Sequence, residues 1–543
     1  MKLNIKNFLF SAALASMTLV GATSCLGDLD VKNINPKQVS ELNQNALFNK
    51  LYSNFVLTGQ TGPNGNSDLP DDIDEGTSNM LRQIWSANEL TTDEAHCLWG
   101  NEGIPEFNHN AWSDAHPMMQ ALYYRLYNGV TLANFFLSEA TASDAETQTQ
   151  RAEARFLRAL HYYYLMDFYA NVPILKRMNE DVPQGTRAEL FAFIESELKD
   201  IVGEGQSGSE QLAAPRSTNY GRADKAAAWL LLSRLYLNAE VYTGKAQWEN
   251  AKTYADKALK SGYALSTTPK NGYSAFQLLF MGDNDSNGAQ NEILLPALHD
   301  GELTQTWGGV LFLIASGVEK AMIDSNANPD YIVTGTSENW GGNRTTKQFA
   351  EKFFGASEAP QGNTASSVAA AKDDRALFYT KGHKASIEDE TNFKSGYAYV
   401  KFLNVHADGT RPKHTQFVDT DFPMLRLAEA YLTYAEADAR LNGGRCTADG
   451  LNKVKALRQR ANAADVSSVT LDDLCDEWSR EFGFEGRRRM DLVRFGKFAG
   501  QSSYKWEWMG GTYEGSSLPA HYNIFAIPNS VINADGLKQN DGF

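Results

Sequence analysis

Two short stretches of this 543-residue chain gather side chains that could do chemistry. In DNDSNGAQNE, Asp283, Asp285 and Asn287 alternate ahead of Gly288. Converging carboxylate and amide oxygens, with a glycine at the sharp turn, are what a calcium ion requires. The glutamate that closes an EF-hand loop would stand at position 294, which is Leu294, so this is no EF-hand. Two readings stay open: a looser structural calcium site completed by distant oxygens, or an Asx-rich surface turn. In EGRRRMDLVRFG, Arg487, Arg488, Arg489 and Arg494 form a basic run, but Glu477, Glu481, Glu485 and Asp491 interleave with it at helical spacings. That pattern predicts internal ion pairs rather than a nucleic-acid surface. Catalytic signatures are missing. There is no G-x-S-x-G and no H-E-x-x-H, and neither Gly244-Lys245 nor Gly496-Lys497 is followed by Ser or Thr as a phosphate loop requires. The nine histidines show no zinc spacing. A glycosidase pair is defined in space, so 66 acids leave that alternative open. The chain is expected not to be an enzyme and to need no cofactor beyond the calcium just weighed.

Five tryptophans, Trp85, Trp99, Trp112, Trp307 and Trp340, fall in two segments without sustained periodicity, 57–118 and roughly 264–420. These segments are rich in Gly, Asn, Asp and Thr. Disordered segments are poor in aromatics, so the segments read as ordered loops that build a surface on a scaffold.

The scaffold shows as helical periodicity. Thr149–Ile174 repeats apolar and small residues every three or four positions until Val172-Pro173 ends it. Gly221–Tyr263 reads as two helices around a turn near Tyr242–Lys245. Small residues (Ala228, Ala251, Ala255, Ala258) alternate there with large ones (Trp229, Leu232, Tyr236, Trp248, Tyr254). Such a pair packs closely and resembles a tetratricopeptide unit. Phe422–Asn462 repeats the plan: helix, Gly-Gly turn, helix. The expected fold is mostly α, with tetratricopeptide-like helix pairs carrying long irregular loops and little β-structure.

At the N-terminus, Lys2 and Lys6 precede an apolar run from Phe8 to Val20, then small residues, then Cys25. The run is shorter than the about 20 residues a spanning helix needs, and it matches a secretory leader. A cysteine directly after small residues resembles a bacterial lipoprotein signal, although Ala22 stands where leucine is usual. Cleavage after residue 24 would leave Cys25 as a lipidated N-terminus, and several acyl chains anchor stably where one does not. An ordinary leader with an incidental cysteine is the alternative. The leader takes two lysines and no acid, so the formal charge moves from −16 to −18. Such a surface disfavours nucleic acid, which needs a basic face. Of the remaining cysteines, Cys97, Cys446 and Cys475, one Cys446–Cys475 bridge is conceivable but a core of this size does not need it.

Several long stretches carry a family resemblance: Arg151–Tyr169, Gly221–Gly244, Phe422–Ala437, Glu477–Phe498 and Ile527–Phe543. In this order they resemble the SusD/RagB family of Bacteroidetes outer-membrane lipoproteins, and within it the starch-binding members. The similarity runs over essentially the whole chain. It implies a signal peptide over 1–24 and a single SusD-like domain over 25–543. That domain has an N-terminal part with tetratricopeptide-like helices (25–300) and a C-terminal SusD/RagB part (301–543). It further implies a lipid anchor on Cys25, a place on the extracellular side of the outer membrane, and a SusC-like TonB-dependent transporter as partner. The acids Asp28 and Asp30 resemble the surface-export signal of these lipoproteins. The implied function is capture of an oligosaccharide, first of all a starch-type α-glucan, for delivery to the transporter. A protein-interaction scaffold or lid without a glycan site is the alternative.

Glycan capture needs flat aromatics for the C–H faces of sugars, and Asp, Asn or Arg for their hydroxyls. By position, the family's starch site maps its Arg to Arg82, its Asp to Asp74, its Asn to Asn101 and one tryptophan to Trp99. Trp307 stands where the family's starch binder has a tyrosine, and Trp340 lies in the region supplying a further aromatic. The neighbouring tryptophan of the family's arc has no counterpart: Cys97 falls there.

Overall fold

The structure, a computed structural model, describes residues 43–70, 73–206 and 208–543. The leader, Cys25, Asp28 and Asp30 lie outside the described residues. No helix among the described residues is long and apolar enough to cross a membrane.

The helices that carry the scaffold and the site are α1 (Met80–Glu89), α2 (Pro117–Glu139), α3 (Ala145–Tyr169), α4 (Arg187–Lys199), α5 (Lys225–Leu237), α6 (Trp248–Leu259), α7 (Gly309–Ser316), α8 (Ala428–Leu441), α9 (Ala448–Arg460), α10 (Leu471–Phe482) and α11 (Arg488–Arg494). Helix α2 packs on α3, α3 on α4, α5 on α6, α6 on α8, and α8 on α9. The predicted pairs are therefore present, and their ends are chemically marked. Asp144 accepts from Thr147 N to start α3, and Asp224 accepts from Ala226 N and Ala227 N to start α5. Such caps each contribute about 1 kcal/mol. Helix α3 stops at Tyr169, where Ala170 turns to φ +57° ahead of Val172-Pro173. Between α5 and α6, Gly244 supplies the left-handed turn at φ +70°. Ala251, Ala255 and Ala258 are wholly buried, and the Tyr236 and Tyr254 rings stack at 5.4 Å across the pair.

The strands are short: β1 (Ala95–Cys97), β2 (Ile293–Ala297), β3 (Asn343–Thr345), β4 (Phe378–Tyr379), β5 (Ala398–Tyr399) and β6 (Phe422–Arg426). They pair antiparallel as β1–β3, β2–β6 and β4–β5. Two expectations change here. Phe422–Arg426, read as the start of a helix, is a strand, because Pro423 drives Phe422 into the extended region and the helix begins only at Ala428. The segments 57–118 and 264–420 are less irregular than expected, since they hold α1 and α7. Both helices are buried on nearly every side, so no polar stripe reveals their period.

The arginine run is buried in ion pairs as expected, but among the interleaved acids only Asp491 pairs with it at helical spacing, with Arg487 at 2.9 Å and Arg494 at 2.8 Å; the other pairs reach distant elements. Arg375 bonds Glu477 at 2.7 Å, Arg426 bonds Glu481 and Glu485 at 2.7 Å, Arg488 bonds Asp93 at 2.7 Å and Arg494 bonds Glu436 at 2.8 Å, all buried. Burial alone would raise the Glu477 carboxyl; Arg375, Arg480 and Arg458 outweigh it and hold it down at about 2. The network ties α10 and α11 to β6, α8 and the turn after α1.

Candidate functional site

Strand β1 runs against β3 with Cys97 opposite Asn343, and Leu98 N donates to Gly342 O at 3.1 Å. That register delivers Trp99 to the stretch Trp340-Gly341-Gly342. The Trp99 indole N–H donates to Gly341 O at 2.8 Å. Gly342 makes room for the ring, because a Cβ there would lie 2.5 Å from Trp99 Cε2. Trp340 is anchored by its own amide, which donates to Ala315 O at 2.7 Å, and its indole N–H donates to Glu338 Oε2 at 2.7 Å. Trp307 stands just before α7. Its amide donates to Glu75 Oε2 at 3.1 Å, and its ring packs 5.2 Å from Phe417.

These constraints bring three indoles into one series. Trp99 and Trp340 lie 6.4 Å apart with planes at 49°, and Trp340 and Trp307 lie 6.2 Å apart at 52°. All three are half-buried. Trp340, only loosely assigned by the sequence, is the middle member.

Arg82, on α1, lies against this arc. Its guanidinium sits 4.8 Å from the centre of the Phe312 ring and 6.0 Å from that of Trp99. Gly76 fits between it and Trp307, since a Cβ there would lie 3.1 Å from both Arg82 Nη1 and Trp307 Cβ. Burial lowers the Arg82 guanidinium from its usual value, against the pull of Asp74, Cys97 and Glu75. The buried Nε has no hydrogen-bond partner, and no ion pair joins Arg82 to Asp74. Asp74 is exposed, and its Oδ2 accepts from Thr77 N and Oγ1, both at 3.0 Å. Asn101 is exposed two residues beyond Trp99, and its side chain bonds to nothing among the described residues. A guanidinium with free donors beside aromatic faces binds hydroxyls well.

The carboxylates beside the arc are held rather than free. Glu75 accepts from Thr58 Oγ1 and Trp307 N, and Glu338 accepts from Trp340 Nε1 and Gln416 Nε2. Cys97 is not part of the arc. It is buried in the core, where burial pushes its thiol up to about 11, so it is unreactive. Sequence reasoning missed Glu75, Phe312, Phe417, Glu338 and the Gly-Gly pair. Only the string NWGGN carried a signal, two glycines beside an aromatic in a loop.

The Asp283 loop is a hydrogen-bonded turn. Asp283 Oδ1 accepts from Asn287 Nδ2 and Oδ2 from Ala407 N, while Asn287 Oδ1 accepts from Ala289 N. Asp285 points to solvent and accepts from Ser286 Oγ. Oxygens already engaged by chain donors do not fit a calcium cradle. Cys446 and Cys475 are unbonded thiols.

Comparison with known proteins bears on the family and the fold. A profile of the SusD family matches residues 316–543, and one described as starch-binding, associating with the outer membrane, matches 28–237. The starch-binding protein SusD of Bacteroides thetaiotaomicron is 39% identical over 98% of this chain and 98% of its own length. A SusD-like protein of Bacteroides ovatus is 24% identical over 78% of this chain and 71% of its own. Among solved structures, a SusD superfamily protein of Parabacteroides distasonis superposes with TM-score 0.66 at 20% identity, covering 93% of this chain and 100% of that one. A laminarin-binding SusD-like protein superposes with TM-score 0.63 at 19% identity, covering 93% and 99%. At these identities the superpositions speak for the fold.

Proposed function

Since the chain belongs to the SusD family, we propose that it is a surface glycan-binding protein whose binding face is the arc Trp99–Trp340–Trp307 with Arg82. The observation that carries this is the stepwise tilt of the three indoles, 49° and then 52°. An α-linked glucan coils, each sugar turned against the last, and needs platforms that turn with it. A flat β-linked glucan would need coplanar ones. The starch-type α-glucan follows as the ligand, in keeping with the starch-binding relative. Arg82, with unspent donors, takes the ring hydroxyls, and Asp74 and Asn101 at the exposed rim take others. The engaged state of Glu75 and Glu338 favours binding over hydrolysis.

The remaining assignments are ours as well. Lipid on Cys25 tethers the protein to the outer membrane, facing outward, and a SusC-like TonB-dependent transporter receives the captured glycan. The acidic, formally −16 chain suits an extracellular face that has no task with nucleic acid. The test is titration of residues 26–543 with solubilised amylopectin, levan, xylan, mannan and mucin glycans in a calorimeter, with reducing ends assayed in parallel. Heat with amylopectin and no new reducing ends is the expected result. Heat only with another glycan would overturn the α-glucan assignment, and new reducing ends would overturn the assignment as a binder.

A further inference from the structure

The middle indole of the arc is held by a carboxylate that is itself held. Trp340 Nε1 donates to Glu338 Oε2 at 2.7 Å, and Gln416 Nε2 donates to Glu338 Oε1 at 2.8 Å. Both carboxylate oxygens are thus spent on orientation. The braces extend into the backbone. Ser337 N donates to Thr415 O at 2.8 Å, and Thr336 Oγ1 donates to Gln416 O at 2.6 Å. His414 Nδ1 accepts from both Gln416 N and Phe417 N at 3.1 Å, and Phe417 is the ring packed on Trp307. One short segment, 414–417, therefore supports two of the three platforms: Trp307 by ring packing and Trp340 through Glu338.

We propose that Glu338, braced by Gln416, is the positioning residue that sets the tilt of Trp340 and so tunes the arc to a curved glycan. The inference rests on the glycan reading of the arc. Trp340 has its backbone pinned at Ala315, but its ring depends on the indole N–H for a fixed orientation. Without the acceptor, the ring would have to be ordered at the moment of binding. Ordering a side chain on binding subtracts from affinity, whereas a ring already set at the right tilt does not.

The test compares Glu338→Ala, Glu338→Gln and Trp307→Ala by calorimetric titration with a malto-oligosaccharide, with thermal melting as the folding control. Glutamine keeps one acceptor oxygen for the indole, and the Gln416 amide flips to accept from the new NH2 group. The expected result is a Kd about tenfold weaker in Glu338→Ala, which is about 1.4 kcal/mol. Glu338→Gln should stay close to the unmodified protein, with melting points alike in all. Equal weakening in both Glu338 variants would mean that the charge itself meets the ligand, and would overturn a positioning role. Loss of binding in Trp307→Ala with none in Glu338→Ala would overturn the inference alone. Unchanged binding in all three would overturn the glycan reading of the arc as well.

Discussion

At the scale of single residues, Arg82 is the most informative side chain of the site. Its guanidinium is packed between Phe312, Trp99 and the Gly76 backbone, yet it makes no ion pair and leaves Nε unpartnered. A buried donor without a partner is costly, and native structures keep such groups where something else satisfies them. On the proposed glycan reading, the satisfying group is a sugar hydroxyl. Arg82→Met fills similar space without donors. It should fold as well as the unmodified protein and bind a malto-oligosaccharide about tenfold more weakly. Calorimetric titration checks this, and unchanged affinity would assign Arg82 to packing alone. Trp99 and Arg82 could be marked from the sequence by position. That Trp340 stands between Trp99 and Trp307 could not, because the adjacency depends on a pairing between residues 97 and 343 that no local pattern encodes.

At the scale of elements, the arc is built by the β1–β3 pair and the loop before it. Gly341 lends its carbonyl to Trp99, and Gly342 leaves the space its ring fills. Gly342→Ala puts a Cβ where only 2.5 Å separates it from the indole, so the ring must move out of the arc. The expected outcome is loss of most glycan affinity with a melting point lowered by a few degrees, the range in which one small overpacking falls. Isothermal titration and thermal melting read the two effects separately. The helical elements were the part most visible in the sequence. Helices α6 and α9, and the first half of α3, keep an outer polar face, so their spacing of three and four shows; α5 and α8 are buried on nearly every side and show instead through their length and alternating small and large residues. Helices α1 and α7 lack that contrast and were read as loop. Strand β6 was read as helix because its apolar run is short, and short apolar runs do not distinguish the two.

At the scale of the whole molecule, stability is tied to a buried charge network joining α10 and α11 to β6, α8 and the turn after α1. Glu477 sits at about 2, far below the usual carboxylate value. A carboxylate depressed in the folded state contributes stability that is complete above its unfolded pKa, about 4.3. That contribution fades as pH falls through the folded value. Glu481, which burial would raise but Arg460, Arg426 and Arg375 hold still lower, adds in the same direction. Glu89 and Glu94 run the other way, raised first by burial, as does Asp421 outside the network, but the lowered acids of the network outnumber the raised ones. Unfolding free energy should therefore fall steeply below about pH 4, as read by denaturant titration at a series of pH values. Glu477→Gln should show a shallower fall, and identical slopes would separate the network from acid sensitivity. The same network explains why the arginine-rich stretch has no outward role; of the interleaved acids only Asp491 supplies its partners, the rest coming from distant elements.

Native gel electrophoresis tests most directly whether the tilted indole series is a glycan-binding face. The protein from residue 26 onward is run through native gels with and without amylopectin, beside Trp307→Ala. Retardation of the unmodified chain by amylopectin, with free migration of the variant, is the expected result. Equal retardation of both would place the glycan elsewhere on the molecule, and no retardation of either would contradict starch-type binding altogether.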